Sequence, residues 1–439
     1  MLVQRVLLAS IAVLALAGCK RQVAPTLEGS RSAAPALEAP PPSRCDEPAA
    51  DATFSLGDDK LVTGSEDQVL PFAAEVGDGV ATTSGFAVGA LTPREGGVSA
   101  VVVTLDERGR SPKIVSLGLA HGDTPPPRVA SLGGELVAAL LEAGSAGRRL
   151  RLARVDGDTV AWGPSFEQGR DESLAYDVAL GDPRGLVAWD DDAKEPERGV
   201  IRVASFVTKG LGAPTPPRVI TGKQTDAESP RVIARQGGFW LFFIARKPED
   251  TDDNAREIGE TAEFRWLEAV PLDANGAPTA SPRRITAGDG HVLTYDVIAG
   301  EAGAALVAYR DDDTPSGSAG GVVLRVVVRP DGSSAPTVLT DRHVGVGAPA
   351  LIPGWFAIAD ASAETRLARL GPAGELLDAL ESEPVLGRGE PIAARGDVLL
   401  VSRPRGRGVR LSVTRCRSGA PEPTPPAASD APQAPSLPR

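Results

Sequence analysis

Tyr176-Asp177-Val178, followed by Leu186-Val187-Ala188-Trp189-Asp190-Asp191-Asp192, and then Tyr295-Asp296-Val297, followed by Leu306-Val307-Ala308-Tyr309-Arg310-Asp311-Asp312-Asp313, are one pattern written twice. The two copies stand about 120 residues apart, which is two units of roughly 50 to 60 and falls in the range of tandem structural repeats. Each copy is a short apolar run, a turn and a second apolar run, too short for a helix and rich in the β-branched and aromatic residues that suit strands. A second motif carries the same rhythm. Pro127-Arg128-Val129-Ala130 precedes a Gly-Gly turn and Glu135-Leu136-Val137-Ala138-Ala139-Leu140, while Pro230-Arg231-Val232-Ile233 precedes Gly237-Gly238 and Phe239-Trp240-Leu241-Phe242-Phe243. Turns such as Leu105-Asp106-Glu107-Arg108-Gly109, Leu272-Asp273-Ala274-Asn275-Gly276 and Pro330-Asp331-Gly332 fall between the third and fourth runs of their units.

A unit of four short strands in this length range resembles a blade of a β-propeller, an all-β fold in which radial repetition protects the sheet edges. Units start near residues 75, 124, 171, 224, 289 and 343, and a seventh begins near 389 with three evident strands, ending at Val409-Arg410-Leu411-Ser412-Val413. Seven four-stranded blades are expected, with six or eight blades, or β-sandwiches, as alternatives. Thr53-Phe54-Ser55-Leu56 is the expected source of the missing outer strand, the closure often seen in propellers. Such a closure brings Cys45 to Cys416, and export favours their pairing.

The N-terminus carries its own signal. Arg5, an apolar run from Val6 to Leu16, and Leu16-Ala17-Gly18-Cys19 resemble the signal peptide and lipobox of bacterial lipoproteins. The resemblance implies cleavage before Cys19 and lipidation of that thiol, and the run is shorter than the ~20 apolar residues that span a bilayer. Lys20 stands where an aspartate commonly retains such proteins in the inner membrane, so the outer membrane or cell surface is expected. The domains then read as a signal peptide over 1–18, a lipidated Pro/Ala-rich tether over 19–48, the propeller over 49–416, and a Pro/Ala-rich tail over 417–439.

Composition narrows the function classes. With 46 Lys and Arg against 58 Asp and Glu the net charge is -12, which argues against nucleic acid and against anionic lipid surfaces as partners. The lipid is the membrane contact. Only His121, His291 and His343 could act as imidazole bases or ligands, no two show metal-ligand spacing, and no Gly-x-Ser-x-Gly elbow accompanies them. The sequence therefore offers no catalytic constellation and no cofactor site, with Ca²⁺ the one cation worth weighing.

That possibility rests on acidic runs: Asp190-Asp191-Asp192 with Glu195 and Glu197, the segment from Glu249 to Glu260, and Asp311-Asp312-Asp313. Placed in loops joining second to third strands, they form one face of a propeller, with Asp177 and Asp296 nearer the channel mouth, and hard oxygen ligands suit Ca²⁺. Solubility and turn propensity are the preferred account of acidic hairpin tips, with a cation or a basic partner that offsets the charge as the alternatives. Trp162, Trp189, Trp240, Trp266 and Trp355 fall mostly inside strand patterns and read as packing residues, while Arg403, Arg405, Arg407 and Arg410 form a basic patch on the last hairpin. The expected function is an envelope-anchored scaffold that binds a protein or extracellular ligand. The alternative is a propeller enzyme acting on extracellular glycan or peptide through carboxylates at the channel mouth.

Overall fold

The structure, a computed structural model, describes residues 44–48, 53–56, 74–94, 97–120, 124–144, 147–169, 175–194, 197–247, 264–312, 314, 320–340, 347–359, 364–380, 385–405 and 408–417. Cys19, the signal run, the tether before Arg44 and the tail beyond Arg417 lie outside the described residues, as do His121, Glu195, Asp313, His343, Arg407 and the acidic segment 249–260.

Antiparallel meanders account for nearly all of it. The first runs Glu75–Ala81, Gly85–Arg94, Gly97–Asp106 and Lys113–Ala120, and the second Arg128–Leu132, Glu135–Gly144, Gly147–Asp156 and Thr159–Gln168. A single residue pair, Ala120 with Glu142, joins them into one eight-stranded sheet. The third runs Tyr176–Leu180, Arg184–Lys194, Glu197–Val207 and Arg218–Val219, and the fourth Asp226–Arg235, Gly238–Arg246, Trp266–Asp273 and Arg283–Arg284. Val292–Ala299, Ala305–Asp312 and Gly321–Arg329 make the fifth with two short outer pieces, and Pro349–Ile352, Trp355–Ala359 and Thr365–Arg369 the sixth. The last meander, Glu390–Arg395, Val398–Arg405 and Gly408–Arg417, takes its outer strand from Thr53–Leu56, with Thr53 opposite Ser412 and Leu56 opposite Val409.

Second strands explain the unbroken apolar runs of the sequence. Gly238 to Ala245 is buried at every residue, because each middle strand is covered on both faces by neighbouring sheets, so period-2 alternation is lost. Hydrophobic clusters form between successive meanders, and one of them, with Phe86, Val88, Val103, Leu400 and Leu411, joins the last to the first. The innermost strands pack side by side in chain order and the strand Glu390–Arg395 returns to Glu75–Ala81, which closes the ring. This is an all-β propeller.

Turn chemistry matches the strands. Asp106 Oδ1 accepts the N–H groups of Arg108 and Arg110 at 2.9 and 2.7 Å, and Asp273 Oδ1 those of Asn275 and Ala277 at 2.8 Å each. Such Asx turns satisfy loop amides that no strand partner reaches. Arg44–Cys45 pairs with the end of the last strand, inside the stretch read from sequence as tether, and places Cys45 opposite Cys416 in a disulfide. Trp240 Nε1 donates to Gly303 O and Trp355 Nε1 to Gly396 O, both at 2.9 Å, so each indole reaches the first turn of the following meander.

Candidate functional site

The innermost strands bring their charged residues to one level of the channel. Asp78 comes from the first, Arg128 from the second, Asp177 from the third, Arg231 from the fourth and Asp296 from the fifth, with Glu390 at the start of the last. Arg128 Nη1 contacts Asp78 Oδ2, and Arg231 Nη1 donates to the same oxygen at 2.6 Å. Arg231 belongs to the fourth meander and Asp78 to the first, so this ion pair crosses the channel. Arg231 Nη2 also stands 3.8 Å from Asp296 Oδ1. A cavity of about 350 Å³ opens beside the cluster, with Ile233, Ile298, Leu351 and Ile392 among its apolar walls.

Asp177 and Asp296, the residues of the repeated Tyr-Asp-Val motif, do one job twice. Asp177 Oδ1 accepts the N–H of Val178 at 2.9 Å and Oδ2 the N–H of Val232 at 2.8 Å, in the next meander. Asp296 Oδ1 accepts from Val297 at 2.9 Å and Oδ2 from Leu351 at 2.7 Å, again in the next meander. The tyrosines reach the other way. Tyr176 OH donates to Pro126 O at 3.1 Å and Tyr295 OH to Ser229 O at 2.6 Å, each in the preceding meander. The motif is thus a two-way clip between neighbouring sheets, and it satisfies backbone groups that the strand ladders leave open.

Protonation follows from these surroundings. Burial works to raise the Asp78 carboxyl, but the Arg128 and Arg231 guanidiniums outweigh it and hold Asp78 well below the usual carboxylate range. Burial raises Asp177 against the pull of Arg231, Arg128 and the two amides. Asp296 is pushed up to about 6, by burial first, with Arg231 opposing and Asp78 adding to the rise. Glu390 is raised by burial and by Asp78, and among the described residues it has no ion-pair or hydrogen-bond partner. Tyr176 and Tyr295 are held protonated, chiefly by burial.

Asp190 to Asp192, Asp311 and Asp312 are strand residues, not loop tips. Asp190, Asp191 and Asp192 lie within the strand Arg184–Lys194, opposite Ile201, Val200 and Gly199. Asp190 is fully buried, and Asp191 accepts the N–H groups of Gly169 and Asp192, each at 2.9 Å, and Arg202 Nε at 2.5 Å. Asp312 is held by Arg310 through two bonds of 2.6 Å, and Asp311 Oδ1 accepts the His291 N–H at 2.8 Å. Among the described residues the expected open acidic loops are strand residues instead, and the carboxylates of Asp191, Asp311 and Asp312 are held by arginines or amides. They do not join Asp177 and Asp296, and among the described residues no three His, Cys, Asp or Glu side chains gather as a metal site. His291 stacks on Phe264 with ring centroids 5.4 Å apart. Trp189, Trp240 and Trp355 are buried packing residues, whereas Trp162 is 40% exposed under the Arg151 guanidinium, 4.0 Å away.

Sequence reasoning missed Asp78, Arg128, Arg231 and Glu390 as a channel cluster. A signal was present in the paired Pro-Arg-Val motifs, which occupy the same strand position as Tyr-Asp-Val and alternate with it from sheet to sheet.

No family model matches the chain, and no curated protein does. Among solved structures, the fold is similar to the β-propeller domain of the trilobed protease from Pyrococcus furiosus (9% identity, 80% of this chain and 100% of that one, TM-score 0.46). It is also similar to a Penicillium chrysogenum α-L-arabinanase (13%, 84% and 97%, 0.44) and a Fusarium graminearum α-L-arabinofuranosidase (12%, 66% and 92%, 0.42). Identities and scores this low transfer neither an activity nor a residue's role.

Proposed function

We propose that this chain is a lipid-anchored envelope protein whose seven-bladed propeller serves as a binding scaffold, taking a protein or extracellular ligand at the channel mouth. One observation carries the preference for binding over catalysis. Asp177 and Asp296, the two carboxylates best placed by sequence to act as acid and base, have both oxygens engaged by backbone N–H groups, and Asp78 is engaged by two arginines. Each oxygen keeps a second lone pair, but an amide held on it favours the ionised form and so weakens the carboxylate as a base, and the same bonds tie it to the neighbouring sheet. The cavity instead offers a fixed array of charges among apolar walls, the usual composition of a small recognition site. The lipobox at Cys19 and the Pro/Ala-rich tether support a domain held off an outer membrane or cell surface.

A second reading, an enzyme acting on extracellular glycan or peptide, is favoured by Glu390, with Asp296, also raised, beside the same cavity. The Glu390 carboxyl has a raised pKa and, among the described residues, no side-chain partner, and it lies beside the cavity, where such a group can serve as a general acid.

Crosslinking capture from the source envelope separates the two, with the native chain and an Arg231→Gln/Glu390→Gln variant compared. A specific protein or ligand captured by the native chain and lost by the variant supports the scaffold. Hydrolysis of envelope glycans or peptides by the native chain that Glu390→Gln alone abolishes overturns it in favour of the enzyme.

A further inference from the structure

Arg403 and Arg410 stand directly opposite each other across the last hairpin, between Val398–Arg405 and Gly408–Arg417. Like charges in that relation repel and are avoided unless something offsets them. Both line a cavity of about 600 Å³ that shares no lining residue with the channel cavity and whose other walls include Cys45, Thr53, Leu386 and Thr414. Arg403 Nη1 donates to Ser412 Oγ at 2.6 Å. Among the described residues no carboxylate pairs with either guanidinium, and Arg410 Nε is buried without a hydrogen-bond partner. Two acids also line the cavity, but neither pairs with these arginines among the described residues: Asp46 Oδ2 lies 3.8 Å from Arg417 Nη2, and Glu47 is exposed. Burial, and then the Arg410 charge, lower the pKa of Arg403.

We propose that Arg403 and Arg410 form a binding site for a compact free oxyanion of the phosphate or sulfate type. Two guanidiniums supply forked donors on two sides of a tetrahedral dianion and are neutralised by its charge, which removes their mutual repulsion. The net charge of -12 opposes approach to an anionic bilayer surface, so the ligand is a small soluble ion or group. The site does not depend on what the channel binds.

The test uses the full-length, disulfide-bonded protein with inorganic phosphate and inorganic sulfate as probes, by calorimetric titration and by thermal unfolding in a low-chloride buffer. Saturable binding is expected, weakened about tenfold or more by Arg403→Gln or Arg410→Gln and unchanged by Arg405→Gln. Without phosphate, Arg410→Gln is expected to unfold at the same or a higher temperature than the native chain, because the repulsion is gone. Phosphate should raise the unfolding temperature of the native chain and not of that variant. The proposal is overturned by an absence of saturable binding of either probe, by binding that survives both substitutions, or by a lower unfolding temperature of phosphate-free Arg410→Gln, which would reveal a structural role instead.

Discussion

Replacing Asp177 by alanine removes the acceptor for two backbone N–H groups, those of Val178 and of Val232 in the next sheet. A buried donor left without a partner costs about 1–3 kcal/mol. Asp177 borders the channel cavity, so water can reach part of the space and each loss falls in the lower half of that range. The burial that raises the Asp177 pKa also means that its ionised form carries a desolvation cost, which alanine relieves. The net expectation is a loss of about 2 kcal/mol in unfolding free energy at pH 7, with Asp177→Asn nearer 1 kcal/mol because its amide oxygen still accepts one bond. Urea unfolding followed by tryptophan fluorescence, with the disulfide intact, reads the difference. The control is Asp158→Ala, whose carboxylate is 79% exposed and 3.6 Å from Lys113, and which should change stability by less than about 0.5 kcal/mol. If Asp177→Ala proves no more costly than this control, the clip is not a clip. If it stabilises the protein, the carboxylate is held against the fold's preference, as functional carboxylates often are, and the enzyme reading gains.

Because Asp296 titrates near 6 in the folded chain against 3.8 unfolded, the folded state binds the proton more tightly, so its contribution to stability falls as pH rises between about 4 and about 6. Urea midpoints from pH 4 to 7 should fall more steeply in the native chain than in Asp296→Asn, where the raised Asp177 and Glu390 still act; equal slopes refute it. Asp78 acts with the opposite sign, adding stability above its unfolded value that is lost only as the solution becomes more acidic still. Gly89→Ala should prevent stable folding or cost more than about 4 kcal/mol, since its Cβ would stand 1.8 Å from the Pro127 carbonyl oxygen of the next sheet, and a folded variant with near-native unfolding temperature would refute that contact. Reducing the disulfide, which spans a sequence separation of 371, should lower stability by up to about 5 kcal/mol, measured as the shift of the urea midpoint with and without reductant.

The amino-acid sequence determined by itself the all-β class, the repeat length and the positions of the units. Those properties follow from local patterns: apolar runs of strand length, Asp-Gly and Gly-Gly turns, and a motif repeated about 120 residues on. It also pointed to Thr53–Leu56 as the closing strand and to the Cys45–Cys416 bond, because a ring that lacks one outer strand has one place to find it. Only the tertiary structure decided what the charged residues do. Asp190 to Asp192 read as a loop because three adjacent aspartates are poor strand formers, yet Arg202 and the Gly169 N–H, brought in by neighbouring segments, hold Asp191 within the strand. Asp177 and Asp296 looked like free acids at a channel mouth, and their partners Val232 and Leu351 are about 55 residues away in the chain. The Asp78–Arg231 pair spans 153 residues and opposite sides of the ring. Strand periodicity is written in neighbouring residues, whereas carboxylate partners are set by which sheets the closed ring places side by side, and no local pattern encodes that.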